Sequence, residues 1–76
     1  MIRRAEFDCY GHRFTILNKG FSFELKLDGE TVDESKGLST CELSCAVDGH
    51  SVRVDVVMGI TAIASVFIDG KFMRAF

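Results

Sequence analysis

The sequence predicts an all-β fold: a small antiparallel two-layer β-sandwich or flattened barrel of about seven strands joined by tight Asp-Gly hairpins. Three observations predict it. The 76 residues include seven Phe, seven Val, five Ile, four Thr and one Tyr, with no Gln and no Pro; β-branched and aromatic side chains suit a pleated, half-buried surface. Three Asp-Gly pairs, at 28–29, 48–49 and 69–70, each follow an alternating apolar run. Such a pair suits a type I′ turn, which needs positive φ at both central residues. Finally, a chain this short with 47% apolar residues can build one core and no second, so residues 1–76 are read as a single β domain.

Each element follows from side-chain parity. A turn at Lys19-Gly20 would pair Ile16 with Phe23 and Phe14 with Leu25, and the run Phe23-Leu25-Leu27 continues past Asp28-Gly29 to Val32. Residues 33–37 (Asp-Glu-Ser-Lys-Gly) carry no strand character and read as the loop between two meanders. A turn at Asp48-Gly49 pairs Val47 with His50, Cys45 with Val52, Leu43 with Val54 and Cys41 with Val56, an apolar face apart from His50. A three-residue loop Met58-Gly59-Ile60 keeps that face, pairing Val56 with Ala62, Val54 with Ala64 and Val52 with Val66. A one-residue slip would place Thr61 and Ser65 in the core instead. The Asp69-Gly70 turn then sets Val66 against Met73. Neither meander can hide its apolar face alone, so each covers the other. The spacing of the Asp-Gly pairs hints at an internal repeat, although any meander of seven-residue strands produces it.

The same parity leaves an apolar strip on the outside of the last hairpin. Phe67 falls opposite Phe72 and Ile63 opposite Phe76, with Val57 on the neighbouring strand; Ser65, Arg74, Arg53 and Asp55 are the polar residues there. Outer faces of antiparallel sheets normally carry polar residues, so this strip calls for cover: the strand around Phe7, a second copy of the chain, or another protein. Aromatic residues rimmed by Arg are typical interface anchors. Val57, Ile63, Phe67, Phe72 and Phe76 are therefore the candidate interaction residues.

Charge and composition exclude several classes. Nine basic residues against eleven acidic ones, net charge −2, argue against a nucleic-acid binder, which needs a positive excess for phosphate contacts. Residues 21–42 hold six acids and two lysines, and read as a solvated hairpin and loop. No signal-peptide pattern follows Met1-Ile2, because Arg3, Arg4, Glu6 and Asp8 interrupt it. The longest apolar stretch, 56–68, is broken by Gly59, Thr61 and Ser65 and falls short of the roughly 20 residues of a membrane span. Three cysteines are an odd number, which fits a reducing compartment and a cytoplasmic location.

Little chemistry is written in the sequence. Cys9, His12, Cys41, Cys45 and His50 could supply zinc ligands, but Cys41 and Cys45 alternate with Leu43 and Val47 as core residues do. Cys9/His12 and Cys45/His50 dyads have nothing to orient the imidazole, and the seven glycines form no phosphate loop. Tyr10, Phe14, Phe21 and Phe23 with Arg13 and Lys19 could form a base-stacking platform, though packing accounts for them better. The expectation is thus a non-enzymatic protein-interaction module without cofactor, a small inhibitor or regulator that binds a protein partner or dimerises through the strip. A small zinc-binding protein and a small-barrel binder of nucleic acid or sugar are the alternatives.

The segments GFSFELKLDGETV (20–32), CELSCAVDGHSVRVDV (41–56) and ASVFIDGKF (64–72), with Arg53-Val54 after the middle Asp-Gly, resemble the β-sandwich domains of the Fas apoptotic inhibitory molecule family. The resemblance implies a non-catalytic, cytosolic protein-binding or protective sandwich, and assigns no functional residue.

Overall fold

The computed structural model describes residues 3–36 and 40–76, and 77% of these described residues are strand and none are helix. The described residues form eight strands: β1 (Arg4–Cys9), β2 (His12–Asn18), β3 (Ser22–Leu27), β4 (Glu30–Lys36), β5 (Thr40–Val47), β6 (His50–Met58), β7 (Ala62–Ile68) and β8 (Lys71–Ala75). They form two antiparallel four-stranded sheets in simple sequential order, β1-β2-β3-β4 and β5-β6-β7-β8. The count exceeds the expected seven because β1 is a full sheet strand. It enters β2 through Tyr10 and Gly11, both at positive φ (52° and 76°), a turn that carries no Asp or Asn to announce it. Residues 33–36, expected as loop, continue β4; Gly37 lies outside the described residues, as do Met1 and Ile2.

Parity survives in the structure, while two registers move by two residues. Across β2 and β3, Asn18 faces Phe23, Ile16 faces Leu25 and Phe14 faces Leu27, so Lys19, Gly20 and Phe21 form the connection. The side chain of Asn18 accepts a hydrogen bond from the Gly20 N–H at 2.9 Å, and the Lys19 N–H donates to the Ser22 carbonyl, which favours the longer loop. Across β6 and β7, Met58 faces Ala62, Val56 faces Ala64, Val54 faces Val66 and Val52 faces Ile68, so the loop is Gly59-Ile60-Thr61. A two-residue shift returns every side chain to its own face, which is why the expected core composition survives. The β5–β6 ladder pairs Val47 with His50, Cys45 with Val52, Leu43 with Val54 and Cys41 with Val56.

One core cluster draws on both sheets: Ala5, Phe7, Phe14, Ile16, Phe23 and Leu25 from the first, with Leu43, Val47, Val52, Val54, Val56, Ala62, Ala64 and Val66 from the second. Phe7 stacks on Phe14 with ring centroids 5.0 Å apart, and on Phe76 at 6.1 Å. The sheets therefore share an aromatic contact where β1 and the end of β8 approach.

The two sheets repeat one plan. In each, a Gly-His pair opens the second strand (Gly11-His12, Gly49-His50) and an Asp-Gly pair joins the third to the fourth (Asp28-Gly29, Asp69-Gly70). Each also carries a β-bulge at the same place beyond that turn, between Leu25 and Lys26 in one sheet and Val66 and Phe67 in the other, with Val32 and Met73 the unpaired extra residues. The second bulge corrects the sequence expectation for β8. Phe67 still faces Phe72, but Val66 now faces Arg74 rather than Met73, and the Phe76 N–H and carbonyl bond to Ala64 rather than facing Ile63. One inserted residue sends every later side chain to the opposite face.

Candidate functional site

The outer faces of the two sheets differ. The outer face of β1–β4 is polar, with Glu6 and Asp8 paired to Arg13, and Lys19 held between Glu24 and Glu34. Glu24 is almost covered, yet it accepts from the Thr31 hydroxyl and the Lys19 ammonium, and these bonds hold its carboxyl below the usual range, Thr31 first. On the outer face of β5–β8, Val57, Ile63 and Phe72 are 54%, 49% and 60% exposed, with half-covered Phe67 among them. Val57 lies directly opposite Ile63, and Phe67 opposite Phe72.

This apolar strip is organised. Phe67 and Phe72 meet edge to face at 5.7 Å, an arrangement in which the positive ring edge meets the negative face. The guanidinium of Arg53 lies over the Phe67 ring at 4.3 Å. Asp55, two residues along β6, brings its Oδ1 to 3.2 Å from Arg53 Nε. Both atoms are buried and neither completes a hydrogen bond. Of the five expected interaction residues, the structure pairs Val57 with Ile63 and Phe67 with Phe72 on this face, with Asp55 and Ser65 between the two pairs. Phe76 leaves the strip: the bulge turns it inward, where it stacks on Phe7 beneath the Arg74 guanidinium at 4.2 Å.

A second polar constellation gathers the turns at one end of the sheets. His12 Nδ1 lies 2.6 Å from Asp28 Oδ2, and its Nε2 lies 3.0 Å from Asp48 Oδ2, so one imidazole joins turns of both sheets. Asp28 Oδ1 accepts from the Arg13 N–H at 2.9 Å. In the other sheet, His50 Nδ1 lies 2.7 Å from Asp69 Oδ2, and Asp69 Oδ1 accepts from the Ser51 N–H at 2.9 Å. The residue before each Gly-His pair reaches the histidine of the other sheet: Asp48 bonds His12, whereas Tyr10 stacks on His50 at 3.8 Å and donates its hydroxyl to Asp69. Hydrogen bonds from Asp28 and then Asp48 raise the pKa of His12. The bonds from His12 lower that of Asp28, and the Ser51 N–H followed by His50 lowers that of Asp69. The sequence signal for these staples was present, in Gly-His twice and Asp-Gly after it, but only the fold shows which histidine meets which aspartate.

The candidate zinc ligands are distributed differently. Cys9 pairs across the strands with His12, Cys41 and Cys45 line the core from β5, and both imidazoles bond carboxylates. Among the described residues, no group of three or more His, Cys, Asp or Glu side chains is placed to hold a metal ion. Burial raises all three thiol pKa values, which favours the neutral, unreactive form. The aromatic platform also disperses: Phe14 and Phe23 are fully buried, while Tyr10 and Phe21 are exposed on separate turns.

Among the described residues no helix is long and apolar enough to cross a membrane. Comparison of the chain with protein-family models, curated proteins and solved structures finds no match.

Proposed function

We propose that this chain is a non-catalytic protein-interaction module that binds through the outer face of β6, β7 and β8. The observation that carries the reading is the contrast between the two outer faces: one is covered with ion pairs, the other presents two apolar pairs, Val57 with Ile63 and Phe67 with Phe72, on either side of Asp55 and Ser65. Exposed apolar side chains scattered singly need no explanation, but a Phe67–Phe72 pair held edge to face beneath the Arg53 guanidinium is the kind of aromatic and Arg anchor that interfaces use.

The proposal extends to the fold and its setting. The two sheets form a two-layer sandwich around their common core, with the Asp-Gly pairs acting as type I′ hairpin turns that set the registers. A cytoplasmic location is supported by three unpaired, half-covered cysteines. A non-catalytic role is supported by thiols pushed toward the neutral form and by imidazoles already bonded to carboxylates.

The test is site-specific photo-crosslinking in the source cells. A photoreactive phenylalanine analogue replaces Phe72 on the apolar face or, as control, Lys26 on the polar face. The reading expects a discrete adduct from position 72, of any identity, and none from position 26. No adduct at 72, or equal yields at both, overturns it.

A further inference from the structure

We infer that the end of the molecule carrying the β2–β3 and β6–β7 loops docks on an anionic lipid surface. The inference goes beyond the reading above and uses no residue of the outer strip. Strand direction brings the two loops to one end. β2 runs from the His12 end to Asn18 and β6 from the His50 end to Met58, so Lys19-Gly20-Phe21 and Gly59-Ile60-Thr61 lie away from the stapled turns. β4 ends at Lys36 and β5 begins at Thr40, which keeps the two sheets together at this end as well. Each loop lifts one large apolar side chain clear of the protein. Phe21 is 82% exposed and Ile60 completely so, the two most exposed large apolar residues among those described.

The charge beside these tips is basic. Arg3 lies against the start of the β2–β3 loop, its carbonyl accepting from the Asn18 N–H at 2.9 Å, and with Asn18, Lys19 and Gly20 it lines an open cleft of about 410 Å³. Lys36 faces Ser22, the residue after Phe21. Lys19 meets Glu24 and Glu34 at 3.4 Å, and both carboxylates stand further back along the strands. The opposite end gathers Asp8, Asp28, Glu30, Asp48 and Asp69 against Arg13 and Lys71. An anionic surface therefore attracts one end of the chain and repels the other, which fixes the orientation of approach. Single apolar side chains on loops of different sheets offer a protein little joint surface to match, whereas a fluid interface accepts each by itself. Lipid phosphates would meet Arg3 and Lys19 at headgroup level while the Phe21 ring and Ile60 enter the acyl boundary.

Vesicle binding tests this, with vesicles of phosphatidylcholine alone or of phosphatidylcholine and phosphatidylserine in equal parts. The wild-type chain should sediment with the mixed vesicles and do so less as salt is raised. Phe21→Ser and Ile60→Ser should each weaken that binding about tenfold, the effect of withdrawing one large apolar side chain from lipid. Both positions are exposed, and far-ultraviolet circular dichroism confirms that each variant folds. The chain has no Trp, so one Trp per variant reports on its own surroundings. Emission from Phe21→Trp and Ile60→Trp should shift to the blue on the mixed vesicles, and emission from Phe72→Trp, beside the Asp69-Gly70 turn, should not. Failure to bind the mixed vesicles, equal binding to phosphatidylcholine alone, or an equal blue shift at position 72 overturns the inference. So does a photo-crosslink in the source cells that joins position 60 to a protein instead of lipid. None of these outcomes touches the adduct expected from position 72, so the two readings stand or fall separately.

Discussion

The two sheets share a plan down to the placement of a bulge, yet they differ in what they turn outward. Both carry the Gly-His and Asp-Gly pairs, both bond an aspartate to the backbone N–H that follows the histidine, and both leave one bulged residue beyond the last turn. The first sheet then covers its outer face with Glu6, Asp8, Arg13, Lys19, Glu24 and Glu34, while the second presents Ile63, Phe67 and Phe72. The comparison separates two roles within one scaffold. Residues common to the halves, the inward apolar positions and the staples, make the fold; the outer face is where the halves diverge, and divergence on a shared scaffold marks where binding can be placed at little cost to folding.

The largest expected effect tests whether the halves share one core. Phe14→Ala in the first sheet should cost about 3–5 kcal/mol and Leu43→Ala in the second about 2–5, since both side chains are fully buried. Either loss is comparable to the whole stability of a small domain. Urea unfolding followed by both circular dichroism and amide exchange should show one transition that loses both sheets together. A variant in which one sheet keeps its protection after the other melts would mean that the halves fold independently.

A smaller effect tests the equivalence of the staples. Asp28→Ala and Asp69→Ala each remove a carboxylate that joins a histidine to the next backbone N–H, at a turn where the residue itself sits at positive φ (50° and 51°). Both should lower the melting temperature, each by less than Phe14→Ala and by similar amounts. Asn at either position should recover part of the loss, because it tolerates the left-handed conformation and keeps an acceptor oxygen. A large effect from one and none from the other would show that the two ends of the plan have separated in function.

How much of this could be read from the chain alone follows the same division. Strand character, the all-β class and the inward set Leu43, Val52, Val54, Val56 and Val66 are legible because period-2 alternation survives a two-residue error in loop placement. Phe76 was misplaced because a bulge leaves no compositional mark: Met73 looks like any strand residue, yet its insertion moves Phe76 from the strip to the core edge. β1 was undercounted because Tyr10 supplies a positive φ that Asn, Asp or Gly usually supplies. That Val57, Ile63, Phe67 and Phe72 share the outer face was legible, since their parity is set before the bulge, and so was the Phe67–Phe72 pair that follows from the turn. The inter-sheet bonds of His12 were not, because nothing in a sequence says which turns share an end of the molecule.

The smallest expected effect concerns that inter-sheet bond, and it would sharpen the one difference between the staples. His12 meets two carboxylates, one from each sheet, whereas His50 meets one and is stacked by Tyr10. With a carboxylate on each ring nitrogen, His12 is best served as the imidazolium, and its pKa is raised by Asp28 first and Asp48 second. A raised folded-state value contributes stability that is fully present below the unfolded histidine value of about 6.5 and is lost as pH climbs through the folded value. Asp28 and Asp69 run the other way: their lowered values contribute stability that is present above the unfolded value of about 3.9 and lost as pH falls through the folded one. Melting temperature should therefore peak in mildly acidic solution and decline on both sides. His12→Gln should flatten the decline on the alkaline side and leave the acid limb largely in place. A proton NMR titration of the His12 ring in the wild type should give a midpoint above that of a free histidine, and Asp48→Asn should lower it. If Asp48→Asn leaves that midpoint where it was, Asp28 alone sets the charge on His12, and the bond between the sheets contributes nothing to their pH response.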